Sequence, residues 1–300
     1  MQNKRKIVVS REQMKSKTRK KISITGIVMI AMAIFVWWGN NAIQVNHIIF
    51  TEEKIPAVFD GYRIVQISDL HNKEFGKQQE RLLQVIESQE PDIIVVTGDL
   101  IDSNHTDVET AMNLVQGMVK ISPVYYVSGN HEKWSGVYEE LKEQLQQAKV
   151  TILEDEKTLL SKGNDVIDLI GLQDVSFLEE TNREVDTVVE TTIKRMRQHK
   201  DTFQLVLSHR PELLEAYAES KADLVLAGHA HGGQFRIPFL GGVAAPDQGL
   251  FPKLTAGVHK KEDTTLVISR GLGNSIIPMR IFNRPEVIVL TLQSHESTIN

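Results

Sequence analysis

The 300-residue chain has no cysteine. That excludes a disulfide framework, thiolate metal sites and thiol catalysis, and it leaves oxygen and nitrogen side chains to hold any metal. An internal repeat is also lacking, and the one compositionally biased tract is a basic arm at the start. No adjacent arginine pair stands in that arm, so a twin-arginine export signal is not read there. What is present is ordinary for a globular protein: 41% hydrophobic and 24% charged residues, enough for an ample core without staples. At this length the chain holds one large domain or two modest ones.

The net charge of -5 hides an asymmetry. Residues 1–21 hold nine Lys or Arg against one acid, Glu12, so the remaining 279 residues carry -13. A domain of that charge repels phosphate backbones, and no nucleic-acid partner is expected. Directly after the arm, residues 22–38 form a 17-residue run without a charge that ends in Trp37 and Trp38. About 17 to 25 apolar residues span a bilayer core as a helix, and tryptophans favour its interface. The positive-inside tendency keeps the arm in the cytosol. The expectation is a single-pass anchor in the cell membrane with the catalytic domain outside the cytoplasm. A cleaved signal peptide competes with it, but no clear Ala-x-Ala site follows the run. A buried core helix is the third reading. The expected divisions are a basic cytoplasmic arm at 1–21, the anchor at 22–38, a linker and first strand at 39–61, and the main domain at 62–295.

From Tyr62 the hydrophobic pattern alternates between two periods. Strands are predicted at 62–68, 92–97, 124–128, 203–207, 223–227, 264–269 and 286–292, with further strands within 150–173. Helices are predicted near 77–89, 107–120, 136–148, 184–199 and 211–219. Such alternation argues an α/β layered domain. The Gly- and Pro-rich stretch between His231 and Lys260 is too apolar for a plain solvated loop; it either walls the site or packs on the domain edge.

Five apolar runs end in metal-ligand chemistry. Val65-Gln66-Ile67-Ser68 leads to Asp69-Leu70-His71; Ile93 to Thr97 leads to Gly98-Asp99; Tyr125 to Ser128 leads to Gly129-Asn130-His131-Glu132. Leu205 to Ser208 leads to His209, and Leu224-Val225-Leu226-Ala227 leads to Gly228-His229-Ala230-His231. In open α/β sheets, ligands bind beyond the carboxyl ends of strands. Taken alone, each residue has a plainer explanation as a turn former or cap. Together, at five strand ends, they point to a site.

This ordered set resembles the signature of the calcineurin-like metallophosphoesterases, and over about residues 60 to 292 the chain is similar to the bacterial membrane-associated branch of that family. Gly232-Gly233-Gln234, Ser269-Arg270-Gly271-Leu272-Gly273 and Phe282-Asn283-Arg284-Pro285-Glu286 add to the likeness. Ala230 stands where many members have Thr, at a position that is not a ligand. The resemblance implies a four-layer α/β/β/α sandwich and two divalent metal ions, Mn²⁺, Fe²⁺ or Zn²⁺. It implies that Asp69, His71 and His231 hold one ion, that Asn130, His209 and His229 hold the other, and that Asp99 bridges them. His131 would be the catalytic acid or transition-state stabiliser, with a plain orienting role as its alternative. Oxygen and nitrogen ligands without sulfur suit these metals, and a carboxylate bridge lets two cations approach to about 3.5–4 Å, where a shared water becomes a nucleophile near neutral pH. The expected function is hydrolysis of a phosphodiester or pyrophosphate bond at the membrane or cell envelope by such a bridging hydroxide, with lipid-linked substrates among the options. A catalytically silent metal-binding scaffold and a dimetal peptidase or amidase are the rival readings. Glu132 reads as structural; Arg210 and Arg270 are possible phosphate partners by charge alone.

Overall fold

Side chains alternate faces along a strand, and in the strands before the motifs both faces are apolar. Sheets buried on both sides read this way. In the computed structural model residues 24–178, 184–197, 201–274 and 279–295 are described. The arm at 1–21, residues 22–23 of the apolar run and residues 198–199 of the expected 184–199 helix lie outside them.

The chain opens with helix α1 (Ile24–Asn41) and strand β1 (Gln44–Glu52). Next come β2 (Arg63–Ile67), α2 (Glu80–Glu87), β3 (Ile93–Thr97), α3 (Val108–Ile121), β4 (Val124–Val127), α4 (Asn130–Ser135), α5 (Tyr138–Gln147) and β5 (Thr151–Ile152). The second half runs β6 (Glu156–Lys162), β7 (Asp165–Gly171), α6 (Val185–Met196), β8 (Gln204–Leu207), α7 (Leu214–Glu219) and β9 (Leu224–Ala227). Four two-residue strands follow: β10 (Arg236–Ile237), β11 (Gly241–Gly242), β12 (Ala244–Ala245) and β13 (Gly249–Leu250). The chain closes with β14 (Gly257–Lys261), β15 (Thr264–Ile268) and β16 (Glu286–Ser294).

Two six-stranded sheets result, in the orders β1-β16-β2-β3-β4-β5 and β14-β15-β9-β8-β7-β6. β2 to β5 are mutually parallel, as are β7, β8, β9 and β15. Three apolar clusters fill the three gaps of a four-layer sandwich. Ile94 and Val96 face outward with Val65 and Ile67 against Leu82, Val115 and Leu141 of the helices. Val95 faces the other sheet, where it meets Leu205, Leu207, Leu224, Leu226 and Ile288. Val206, Val225 and Ile268 face away from that layer, onto Val189, Ile193 and Tyr217. Each such side chain contributes about 1.5–3 kcal/mol on burial, so the two sheets are pressed together along their length. One polar tie crosses that layer: the buried Gln66 amide donates to the Ala227 carbonyl at 2.9 Å.

The helices follow their own chemistry. In α3, Asp107 caps the first turn by accepting from the Thr110 N–H at 3.0 Å, worth about 1 kcal/mol. Its Ala111, Met112, Leu114, Val115 and Met118 form the buried stripe. At 18 residues and about 1.5 Å per residue, α1 is about 27 Å long, enough to cross a hydrocarbon core. Its apolar side chains are exposed, including Ile27, Met29, Ile30 and Ile34. Its carboxyl end is tied to the domain: Phe35 meets Phe282 edge-on at 5.3 Å, Arg284 sits over the Trp38 ring at 4.6 Å, and Asn40 Oδ1 accepts from the Arg280 N–H at 2.9 Å.

The predicted 150–173 strands divide between the sheets: β5 ends the first, whereas β6 and β7 form an antiparallel edge of the second. The Gly- and Pro-rich stretch folds into two small ribbons, β10–β11 and β12–β13, before β14 joins the second sheet.

Candidate metal centre

The packing of the sheets brings the carboxyl ends of β2, β3 and β4 against those of β8 and β9. Two hydrogen bonds show how close they come. The His229 N–H donates to Asp69 Oδ1 at 2.9 Å, and His209 Nδ1 lies 2.7 Å from the Thr97 carbonyl. Three of these strands, β2, β3 and β9, end in sharp reversals rather than continuing. Asp69, His71, Asp99, His229 and His231 all have φ between 46° and 64°, the left-handed region that non-glycine residues avoid. Such strain clusters at functional sites. Close approach is needed as well: a Cβ on Gly228 would lie 2.5 Å from Asp69 Oδ2, and one on Gly271 would lie 2.6 Å from Asp69 Cβ.

The eight residues singled out from the sequence converge on one cavity of about 300 Å³ or its buried floor. Potential ligand atoms of Asp69, His71, Asp99 and His231 lie within 4.8 Å of one another, and those of Asp99, His209 and His229 form a second such group. Asp99 belongs to both. Asn130 Oδ1 is 3.1 Å from His209 Nε2 and so joins the second group.

The donor set fits cations. Oδ2 of Asp69 and Oδ2 of Asp99 are buried and accept no hydrogen bond among the described residues. His71 Nε2 and His231 Nε2 face each other at 3.1 Å, and His229 Nδ1 faces His209 Nε2 at 3.2 Å. Converging acceptors of this kind call for positive charge between them. In the metal-free chain a proton supplies part of it. Burial would lower the His209 pKa, but Asp99, with Oδ2 at 3.2 Å, overrides it and pushes His209 up to about 10. Burial would likewise raise Asp99, and the neighbouring imidazoles, His209 foremost, hold it well below the usual carboxylate range. Metal binding to such a site displaces protons. The chain's residues therefore fit a dinuclear metal site.

Further residues support these groups. Glu132 is buried beneath them, accepting from the N–H groups of Gly129 at 2.7 Å, Asp99 at 2.8 Å and Leu100 at 2.8 Å. It ties the β3 turn to the first turn of α4, a structural role. Burial and then Asp99 push its pKa to about 7, while the three donors favour its charged form. His131 is held from behind: its Nδ1 accepts from the Ser103 N–H at 3.1 Å, which leaves Nε2 carrying the proton. Burial lowers its pKa, so the ring is neutral near pH 7. Its own N–H donates to Asp99 Oδ1 at 2.9 Å, and its ring lines the cavity beside Trp134.

Three supporting carboxylates were not legible beforehand. Asp102 Oδ2 lies 3.4 Å from His71 Nδ1. Asp174 grips Arg210 with both oxygens, at 2.7 and 3.1 Å. Asp247 Oδ2 lies 3.1 Å from His229 Nε2 and accepts from Arg210 Nη1 at 2.5 Å. By accepting a hydrogen bond from Nε2–H, Asp247 leaves the His229 Nδ1 lone pair facing the second group. Asp102 stands three residues after Asp99, a spacing that could have flagged it; Asp247 lies in the irregular stretch, with no periodicity to mark it. Arg210 is engaged with these carboxylates, and Arg270 is paired to Glu286 at 2.9 Å. The irregular stretch reaches the cavity through Pro246 and Asp247, so part of it forms a wall.

A family model described as calcineurin-like phosphoesterase matches residues 62–233. The chain is similar to an uncharacterized metallophosphoesterase of Bacillus subtilis, YkuE, at 27% identity over 256 residues, covering 80% of this chain and 82% of that one. It is also similar to the phosphodiesterase YaeI of Escherichia coli, 27% identical over 237 residues, covering 77% and 82% of the two chains. A transmembrane protein with metallophosphoesterase domain from Bos taurus is 28% identical over 283 residues, 89% of this chain and 62% of that one.

Proposed function

The chain belongs to the calcineurin-like phosphoesterases, hydrolases of phosphoric ester bonds, and from that premise we propose that it cleaves a phosphodiester or pyrophosphate bond at a membrane surface. The observation that carries the reading is Asp99: one buried carboxylate shared by two groups of potential ligands, with an oxygen that no hydrogen bond satisfies. In this reading Asp69, His71, Asp99 and His231 hold one divalent ion, and Asp99, Asn130, His209 and His229 hold the second. Mn²⁺, Fe²⁺ and Zn²⁺ suit such ligands. Bound there, the pair would supply an activated water and neutralise charge on the phosphoryl oxygens.

The protein's own contribution is orientation and one hydrogen bond. Thr97 and Asp247 hold His209 and His229 with the lone pairs of Nε2 and Nδ1 turned inward. Ser103 fixes His131 as the tautomer with N–H on Nε2, at the cavity wall, where it donates a hydrogen bond to the leaving oxygen and stabilises the charge that develops there. A diester or pyrophosphate is favoured because the relative YaeI is named a phosphodiesterase. The 18-residue apolar helix α1 supports a single-pass anchor, and the arm before it carries nine basic residues, which favours a domain outside the cytoplasm. A substrate with a lipid-linked phosphate fits that location.

The test is hydrolysis by the full-length protein, loaded with Mn²⁺, of bis(p-nitrophenyl) phosphate and of a lipid diphosphate in mixed micelles. Release of p-nitrophenol from the first or of phosphate from the second, abolished by Asp99→Asn, is expected. No turnover of either substrate by protein carrying two ions per chain would sink the proposal. Protease accessibility on intact cells decides the side of the membrane.

A further inference from the structure

The least explained surface lies away from the cavity. The β10–β11 ribbon turns through Ile237-Pro238-Phe239-Leu240, and its apolar tip projects into solvent: Phe239 is fully exposed and Leu240 is 72% exposed. Soluble proteins seldom leave such side chains together without a partner. From Gln234 to Pro246 the chain carries a single charge, Arg236.

The position of this tip indicates what covers it. The base of the ribbon is fastened to the segment that holds α1. Phe235 bridges to Ile281, and the Arg236 N–H donates to the Ile281 carbonyl at 3.0 Å. Next to Ile281, Phe282 is itself 58% exposed and lines one hollow with Ile237, Phe239 and Leu240. Its ring also meets Phe35 of α1 at 5.3 Å. The apolar surface of the ribbon therefore continues, through Phe282, into the apolar surface of α1. Where the two join, Arg284 lies over Trp38 at 4.6 Å. An arginine stacked on tryptophan at the end of an apolar helix suits the headgroup level of a bilayer.

We propose that the Ile237–Leu240 tip and Phe282 insert into the outer part of the same bilayer that α1 crosses, giving the domain a second, interfacial foothold. This rests on the anchor reading above and adds to it an orientation. A single helix leaves a domain free to swing about one tether; a second contact fixes which face looks at the lipid. The tip leads directly to Pro246 and Asp247 at the cavity. Pro246 stands six positions after Leu240, so the cavity wall lies within about 20 Å of the tip along the chain. The foothold thus holds the cavity within reach of phosphates at the membrane surface.

Because the chain has no cysteine, one introduced thiol gives one label. Full-length Leu240→Cys, Ile30→Cys and Leu159→Cys proteins, each carrying an environment-sensitive nitrobenzoxadiazole dye, would be reconstituted in phosphatidylcholine–phosphatidylglycerol vesicles. Leu159 is a half-exposed position on β6, in the far edge strand of the second sheet. The dye at 240 is expected to emit at shorter wavelength and to be quenched by lipids brominated high on the acyl chain. The dye at 30 should be quenched by deeply brominated lipids, and the dye at 159 should stay water-like. Quenching at 30 with a water-like dye at 240 would overturn the foothold and leave the anchor standing. No quenching at 30 would overturn the anchor and this proposal with it. Equal quenching at 159 and 240 would also overturn it, since the tip would then have no special role.

Discussion

Gly228→Ala tests whether close approach of the two sheets sets the geometry of the centre. The glycine's φ lies outside the left-handed region, so alanine suits the backbone and only space is at issue. A Cβ there would lie 2.5 Å from Asp69 Oδ2 and would also overlap the Ser68 hydroxyl. An ordinary carbon–oxygen contact is about 3.4 Å, so Asp69 must retreat by about 0.9 Å. Asp69 has little room to do so, because Oδ1 is held by the His229 N–H at 2.9 Å and the side chain is fully buried. Overpacking of this kind costs about 1–3 kcal/mol of stability. A displacement of about 1 Å at a reacting centre costs about 100-fold in rate, equivalent to about 2.7 kcal/mol of barrier. The expected result is a folded protein with kcat on bis(p-nitrophenyl) phosphate down about 100-fold and fewer than two metal ions per chain by plasma mass spectrometry. Gly117→Ala is the control. Its Cβ would overlap only the Leu83 side chain, in the outer helical layer, so it should lower the urea midpoint while sparing kcat. If Gly228→Ala kept two ions and the parental kcat, the reasoning from sheet approach would be wrong.

Four further outcomes are expected. Asp99→Asn keeps an oxygen for the His131 N–H but loses the shared charge, so metal content should fall below one ion per chain, a larger loss than the about 10–100-fold in affinity that a supporting residue costs. His131→Ala should lower kcat by about 10²–10³-fold with both ions retained, which separates stabilisation of the leaving oxygen from metal binding. Asp247→Ala should weaken one of two Mn²⁺ binding events by about 10–100-fold in calorimetric titration, because it removes the acceptor at 3.1 Å from His229. Lys73 is lowered to about 7, by burial first and by Arg280 second, from 10.5. The folded state therefore binds fewer protons than the unfolded one between those values, and stability should rise as pH climbs from 7 towards 10.5, with the full penalty present below 7. Lys73→Met should accordingly raise the unfolding free energy from urea melts at pH 6.5 by an amount on the order of a few kcal/mol and much less at pH 10.

The legible features of this chain were those with local causes. β2, β3, β8 and β9 showed as apolar runs because both faces of each are buried, and their ends showed as Asp, Asn or His after Gly or Ser. The four-layer architecture could be named from the ordered motifs, but nothing in residues 150–173 marked the passage from one sheet to the other between β5 and β6. That passage depends on which neighbour each strand finds, which is a property of the whole. α4 was invisible for a related reason: all but one of its six residues are polar and its start is stabilised by Glu132 through backbone groups 31 to 33 residues away as well as locally. Asp247 escaped because a supporting carboxylate needs only to reach an imidazole, and no sequence spacing enforces that; Asp102 had only its place three residues after Asp99 to mark it.

The strained turns and the unsatisfied oxygens have one cause. A strand that continued straight past Asp69 or Asp99 would aim its side chains alternately into the two neighbouring layers, away from any common point. The left-handed turn redirects them, and it places Asp69, His71, Asp99, His229 and His231 at φ values that cost on the order of 1–3 kcal/mol each. The converging lone pairs add repulsion that protonation of His209 relieves only in part. Packing between the sheets holds this arrangement in place, since Ile64, Val95, Leu207 and Leu226 bury the strands that lead into the turns. The hydrophobic layer thus holds the ligands in a conformation that would relax without it, and a cation bound between them relieves the electrostatic part of the strain. Stability and function are coupled here through the strand ends: whatever loosens the inter-sheet layer also disperses the ligands.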